Sequence, residues 1–249
     1  MKRFKFVTIL MVASCMVFFC ACNSGAEKKA ADASADTTAA TKDSTVAVAP
    51  APAPVTAGPV MIMSIRHKVS NFAKWKAGYE SHDSIRLASG LHNYVLARGI
   101  DDSNMVLVAL KMDDATKAKE LGNSAGMKDR MKKAGVVGPV TIDYLETVLN
   151  DTTAIQQTVR LLVKHKVKDW ATWKKGFDSG QAMRDSAGLT LRLLGHTVGD
   201  DHMVGIVFAV ADVAKAKAFG ESKALKEAMA KGGVEGPPTK FFYKIVQKY

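Results

Sequence analysis

Two histidines, two arginines and four aromatic rings are the residues of this chain whose types and spacing could do chemistry. His67 and His165 stand 98 positions apart, each near the end of an alternating apolar run. An imidazole can take or give a proton near neutral pH, so both are candidate catalytic acids or bases. Trp75 and Tyr79 follow the first histidine, Trp173 and Phe177 the second. Rings so placed could line a pocket for a flat aromatic molecule. Arg86 and Arg184 come 11 residues after the tryptophans, where a guanidinium could bind an anionic group. Each candidate also has a plainer reading. The histidines, on the reading favoured here, are partly buried and hydrogen-bonded to backbone or to an early helix residue. The rings, at helical spacing, are more simply core. The arginines can snorkel out of the core and pair with Asp83 or Asp185.

These residues sit in a unit that is used twice. His67-Lys68-Val69-Ser70-Asn71-Phe72-Ala73-Lys74-Trp75-Lys76-Ala77-Gly78-Tyr79 returns at 165–177, with 7 of 13 pairs identical. The offset of 98 persists through Gly90/Gly188, Asp102/Asp200, Met105/Met203 and the Gly-Pro turns at 135–139 and 233–237. A repeat of this length is a tandem domain, not a solenoid period. Within each copy, 61–69 and 159–167 alternate as a strand. Asn71 and Asp169 have the side chains of helix N-caps. Phe72, Trp75 and Tyr79 at i, i+3 and i+7 form the stripe of a core-facing helix, which Gly90 and Gly188 stop. Two strands follow around a polar turn. The next helical regions, 114–134 and 212–232, are expected to break near Gly122-Asn123-Ser124 and Gly220-Glu221-Ser222, and last strands are expected at 140–146 and 239–246. The order βαββαβ is the split ferredoxin-like pattern. Its sheet carries both helices on one face, so the bare face calls for a partner, and the second copy supplies one. The expected fold is α+β: two tandem ferredoxin-like units pairing sheet to sheet. The first strand's opposite face carries Arg66, Lys68, Lys164 and Lys166, and the pattern leaves open which face lines a cavity.

Units are expected at 60–146 and 158–249, joined by a polar connector at 147–157. Ahead of them, Met1–Lys5 is basic and Phe6–Phe19 is an apolar run too short to span a bilayer comfortably. Residues 1–21 read as a signal peptide. Ala21-Cys22, just past the run, resembles a bacterial lipoprotein cleavage box, although Phe19 stands where leucine is usual. Lipidation of Cys22 is therefore expected, with membrane lipid as a partner and the cell envelope, facing the periplasm, as the location. From 22 to 59 the composition is that of a disordered Ala/Thr/Pro linker. All three cysteines fall within the first 22 residues, so the repeats hold no disulfide and no thiolate nucleophile.

The formal charge is +11. Without a block of five basic residues, and with acids interspersed, this reads as a solvated surface and not a nucleic-acid site. His82, His92, His196 and His202 occur in one copy each and lack metal-ligand spacing, so no metal is expected. No phosphate loop or dinucleotide fingerprint appears, and no cofactor is expected.

With these residues in place, the repeats resemble the dimeric α/β-barrel superfamily, specifically its antibiotic-biosynthesis-monooxygenase-like domains. The marks are the strand-ending His67-Lys68-Val69, the Asn71…Trp75…Tyr79 helix, Asp101-Asp102 before Met105–Leu110, and Met131…Gly135-Val136-Val137-Gly138-Pro139. The resemblance implies an intrachain pseudo-dimeric barrel with a ligand space between sheet and helices in each unit. Haem-degrading relatives use a histidine on the second helix, and neither 114–134 nor 212–232 has one. The resemblance does not choose an activity. Three functions remain: a lipoprotein binding a small apolar or aromatic molecule, a cofactor-independent monooxygenase, or a structural envelope module.

Overall fold

The computed structural model describes residues 59–249. The signal-peptide, Cys22 and linker expectations lie outside the described residues up to position 58. Unit one runs β1 (Met61–Val69), α1 (Phe72–Ser81), α2 (Asp83–Ala88), β2 (Leu91–Gly99), β3 (Met105–Met112), α3 (Ala115–Asn123), α4 (Ala125–Lys133) and β4 (Val136–Asn150). Unit two repeats it as β5 (Val159–Val167), α5 (Trp170–Ser179), α6 (Gln181–Ser186), β6 (Leu189–Thr197), β7 (Asp200–Val210), α7 (Val213–Glu221), α8 (Lys223–Lys231) and β8 (Val234–Lys248).

Local chemistry sets the helix ends. The Asn71 carboxamide oxygen accepts from the Lys74 amide at 2.9 Å, and Asp169 does the same for Thr172 at 2.7 Å. Ser124 ends α3 and starts α4: its hydroxyl donates to the Leu121 carbonyl at 2.8 Å and accepts from the Met127 amide at 3.2 Å. Ser222 caps α8 in the same way through Leu225. One expectation fails. The first helix is not continuous to Gly90 or Gly188 but breaks at His82 in unit one and at Gly180 in unit two. The hydroxyls of Ser81 and Ser179 take the carbonyls of Gly78 and Gly176, and the His82 ring shares the first of these. Side chains that compete for backbone carbonyls weaken the turn they sit on. Past the break, the left-handed Gly90 and Gly188 carry the chain into β2 and β6.

The eight strands close into one barrel in the order β1-β3-β2-β8-β5-β7-β6-β4. Every pairing is antiparallel. The units therefore join by hydrogen-bonded edges as well as by facing sheets. These seams need longer last strands than expected. β4 pairs with β1 as far as Glu146, then bends at a bulge between Thr147 and Leu149 and pairs with β6 through Asn150. The Thr147 hydroxyl holds that bend by accepting from the Val60 amide and donating to the Val60 carbonyl. β8 pairs with β2 in the equivalent way. The connector, expected from 147, thus begins at Asp151. At the seam Gly195 lies against β4, where an added Cβ would collide with the Glu146 carbonyl oxygen.

Strand alternation divides the interior into three. The face of β1 bearing Met63, Ile65 and His67 turns toward the unit-one helices and packs with Trp75, Leu91 and Leu110. The matching face of β5 packs with Trp173, Leu189 and Phe208 under the unit-two helices. The opposite faces point into the barrel lumen, where Ala97, Leu107, Leu162 and Tyr243 form one apolar group and Ile62, Leu145 and Leu193 another. Asp143 is buried between Arg66 of its own unit and Lys164, which reaches it from unit two.

Candidate functional site

Each unit has a space between its sheet and its helices, and the eight candidate residues stand around these two spaces. In unit one His67, Trp75, Tyr79 and Arg86 line a cavity of about 80 Å³. In unit two His165, Trp173, Phe177 and Arg184 line one of about 470 Å³. The helix α1 and its copy α5 bring the rings to the sheet, because positions four apart fall on one face, and the short helices past the break, α2 and α6, bring Arg86 and Arg184. Strands β1 and β5 bring the histidine beneath them.

The histidines are packed, not bonded. His67 is 3% and His165 7% exposed, and each ring centroid lies 5.3 Å from that of its tryptophan. Neither ring nitrogen of either residue has a hydrogen-bond partner among the described residues. The expected bond to backbone or helix is absent, because the strand end delivers the imidazole against indole carbon and not against a polar group. Burial lowers the pKa of each from 6.5 to about 4, so both are neutral at pH 7.

The arginines differ between the copies. Arg86 lies over the Tyr79 ring at 3.8 Å, donates to the Tyr79 carbonyl at 2.7 Å and bonds Asp83 at 3.0 Å. Asp83 in turn accepts from Asn93 at 2.7 Å, and Asn93 accepts from the Tyr79 hydroxyl. The pairing with Asp83 is as expected, but Arg86 does not snorkel: it is buried at 5% exposure, and Asp83 reaches it from the surface. Arg184 keeps the stack, 3.8 Å over Phe177, and the carbonyl bond to Phe177. It makes no ion pair with Asp185 or any other described carboxylate. The positions equivalent to Tyr79, Asp83 and Asn93 are Phe177, Gln181 and Leu191, so the whole polar network is missing from unit two.

The same comparison explains the difference in volume. His82, Arg130 and Ala134 line the small cavity, and the large one has Gly180, Ala228 and Gly232 at those positions. Ile65 is matched by the shorter Val163. An imidazole, a guanidinium chain and two methyl-sized groups are removed, and the added bulk of Phe208 and Phe219 does not refill the space. These opening residues were not singled out from the sequence. The signal lay in what the second copy lacks at an offset of 98. The remaining wall is aromatic and aliphatic, with Phe208, Phe219 and Phe242 facing Trp173 and Phe177. Polar groups gather at its edge, where Lys217 bonds Asp101 of unit one at 3.0 Å and Lys240 bonds Glu221.

The single-copy histidines are occupied elsewhere: His92 pairs with Asp113 at 2.9 Å, His196 meets the Trp170 ring edge-on, and His202 bonds the Val167 carbonyl at 3.0 Å. No group of three metal-ligating side chains occurs among the described residues.

No protein-family model matches the sequence, and no curated protein matches it. Solved structures do. An anthrone oxidase-like protein aligns at 14% identity over 76% of this chain and 92% of its own, with a TM-score of 0.52. A candidate monooxygenase from Fusobacterium nucleatum aligns at 12% identity over 76% and 94%, TM-score 0.49. A ferredoxin-fold protein of Listeria monocytogenes, related to antibiotic biosynthesis monooxygenases, aligns at 6% identity over 76% and 95%, TM-score 0.43. At these identities the likeness is one of fold. The chain has the dimeric α/β-barrel fold, with both ferredoxin-like units on one polypeptide.

Proposed function

We propose that the protein binds a small apolar or aromatic molecule in the unit-two cavity. The observation that carries this reading is the difference between the copies. The space between the histidine and the aromatic stripe is about 80 Å³ in unit one and about 470 Å³ in unit two, the latter within the size range of small-molecule sites. The opened wall is apolar, which favours a ligand recognised by burial and ring packing. Arg184, without a carboxylate partner among the described residues, sits where a polar edge of such a ligand could be met. Lipid anchoring through Cys22 would place this site at the envelope surface, and mass spectrometry of the mature amino terminus tests that part separately.

Binding accounts for the site better than acid–base catalysis does. His165 is neutral at pH 7, but its low pKa makes it a weak base and both nitrogens are covered. An oxygenase acting on an anthrone or hydroquinone would need another group to take the substrate proton. Thermal-shift measurements over a panel of hydroquinones, naphthols and anthrones test the proposal. A cognate ligand at 100 times its Kd adds about 2.7 kcal/mol. No shift across the panel, for the wild type at saturating concentrations, would favour the structural-module reading. Oxygen consumption with the same compounds would favour the oxygenase.

A further inference from the structure

A further cavity, of about 210 Å³, is lined from all eight strands and from no helix. It is therefore the lumen of the barrel, separate from both spaces under the helices. Its walls are apolar through Ile62, Leu107, Leu145, Leu162, Leu193 and Val207. At the end where β4 and β8 finish, the lining turns polar, and the polar groups are mostly donors.

Arg160 is the centre of that end. It is 4% exposed, and among the described residues it bonds only the Gln157 and Val159 carbonyls, both through Nη1. It has no carboxylate partner among the described residues. Asn150 is 2% exposed; its oxygen accepts from the Tyr94 hydroxyl at 3.1 Å, while its amide nitrogen has no described partner. Arg192, also buried, is held by Asp151 at 2.6 Å and by the Thr153 carbonyl. Lys248 adds a further cation at the opening. A buried guanidinium stays charged, and leaving it without a counter-charge is unfavourable. Burial is the main cause that lowers the pKa of Arg160; the smaller charge contributions oppose one another, Tyr243 and Tyr94 raising it and Arg192 lowering it.

We propose that this end of the lumen is a binding site for a small monocarboxylic acid, its carboxylate held by Arg160 and the Asn150 amide and its apolar body in the lumen. A planar fork suits a carboxylate, and the apolar walls exclude ions that lack a hydrophobic body. The volume holds about seven water-sized groups, which suits a single ring or a short chain. The site is independent of the unit-two cavity and of the function proposed for it.

Fluorine NMR with 4-fluorobenzoate and the purified full chain tests this. Binding is expected, with 4-fluorobenzamide, of the same shape but uncharged, at least tenfold weaker. Arg160→Gln, checked for folding by circular dichroism, should weaken 4-fluorobenzoate at least tenfold. The double variant Gly180→His/Ala228→Arg, which fills the unit-two cavity, should leave the affinity in place. Should Arg160→Gln fail to fold, Ala109→Leu, which narrows the lumen, is expected to weaken binding instead. The proposal is overturned by no binding to the wild type at millimolar probe, by equal binding of the amide, or by competition from inorganic phosphate as effective as from benzoate. Unchanged affinity in the folded lumen variant, or loss in the unit-two double variant, overturns it equally.

Discussion

Replacing both buried histidines with leucine should flatten the stability of the protein between pH 7 and pH 5. In the fold, burial holds His67 and His165 at about 4, against 6.5 for a solvated imidazole. At pH 5 the unfolded chain binds nearly one proton at each site and the folded chain nearly none. The unfolded state thus binds more protons, and stability rises with pH through this window. The stability is fully present above about pH 6.5 and is lost as the pH falls toward 4. Going from pH 7 to pH 5 removes ~2 kcal/mol per histidine, ~4 kcal/mol for the pair. That is a large fraction of the ~5–15 kcal/mol that holds an ordinary domain. Comparison with His67→Leu/His165→Leu isolates these two imidazoles from every other titrating group, which the two proteins share. The variant also removes four buried nitrogens that have no described partner, so at pH 7 it should be at least as stable as the wild type. Urea unfolding at pH 7 and pH 5 gives both numbers. The reasoning is wrong if wild type and variant lose equal stability over the window, or if the imidazole proton signals titrate near 6.5. In that case the histidines would be solvated, and their use as bases would reopen.

Other outcomes follow from single features. Gly180→His/Ala228→Arg gives unit two the lining of unit one; any apolar ligand found by thermal shift should then bind at least tenfold more weakly, losing ~1.4 kcal/mol or more, while isothermal titration of the wild type shows one strong site. His should be tolerated at Gly180, because that backbone has an ordinary φ of −85°, close to the −106° of His82. Arg86→Gln should cost ~2–3 kcal/mol and Arg184→Gln about half that, since only Arg86 has both the carboxylate and the carbonyl partner; equal losses on chemical denaturation would show that the Asp83 network adds nothing. Gly195→Ala should cost ~2 kcal/mol or more by forcing β4 and β6 apart, read as a drop in Tm with the helical circular dichroism retained.

What the sequence shows is what is local. The N-caps, the serine breaks at Ser124 and Ser222, and the Phe72-Trp75-Tyr79 stripe are settled within a few residues, and the eight candidate side chains follow from that stripe and the strand before it. The seams are not local. The bulge at Thr147 breaks the alternation of β4, and the Asn150–Thr153 segment has the composition of a turn, so the part of β4 that joins the units reads as connector. The helix break is hidden for a similar reason, because Ser81-His82 and Ser179-Gly180 are acceptable within a helical pattern until the side chains of Ser81, His82 and Ser179 take the carbonyls. The lumen charges mislead outright. Arg66, Arg160 and Lys164 occupy alternate strand positions, as residues facing water would, and only closure of the barrel turns that face inward.

Joining the units on one chain permits a lumen that a symmetric dimer could not have. Ile62 and Arg160 occupy equivalent positions, as do Tyr94 and Arg192, and Asn150 and Lys248. In a dimer of identical chains each of these positions would appear twice with the same residue. At these three positions two copies of unit two would bring four arginines and two lysines to one narrow space, and two copies of unit one would bring no charge. Here Arg192 is neutralised by Asp151 from the segment that connects the units, which leaves Arg160 as the buried cation. The asymmetry under the helices follows the same logic: unit one keeps its polar network and the smaller space, about 80 Å³, beneath its aromatic stripe, and can carry stability, while unit two loses that network and gains space. Destabilisation by the open cavity of unit two is tolerable when hydrogen-bonded seams tie it to a unit that keeps its polar network.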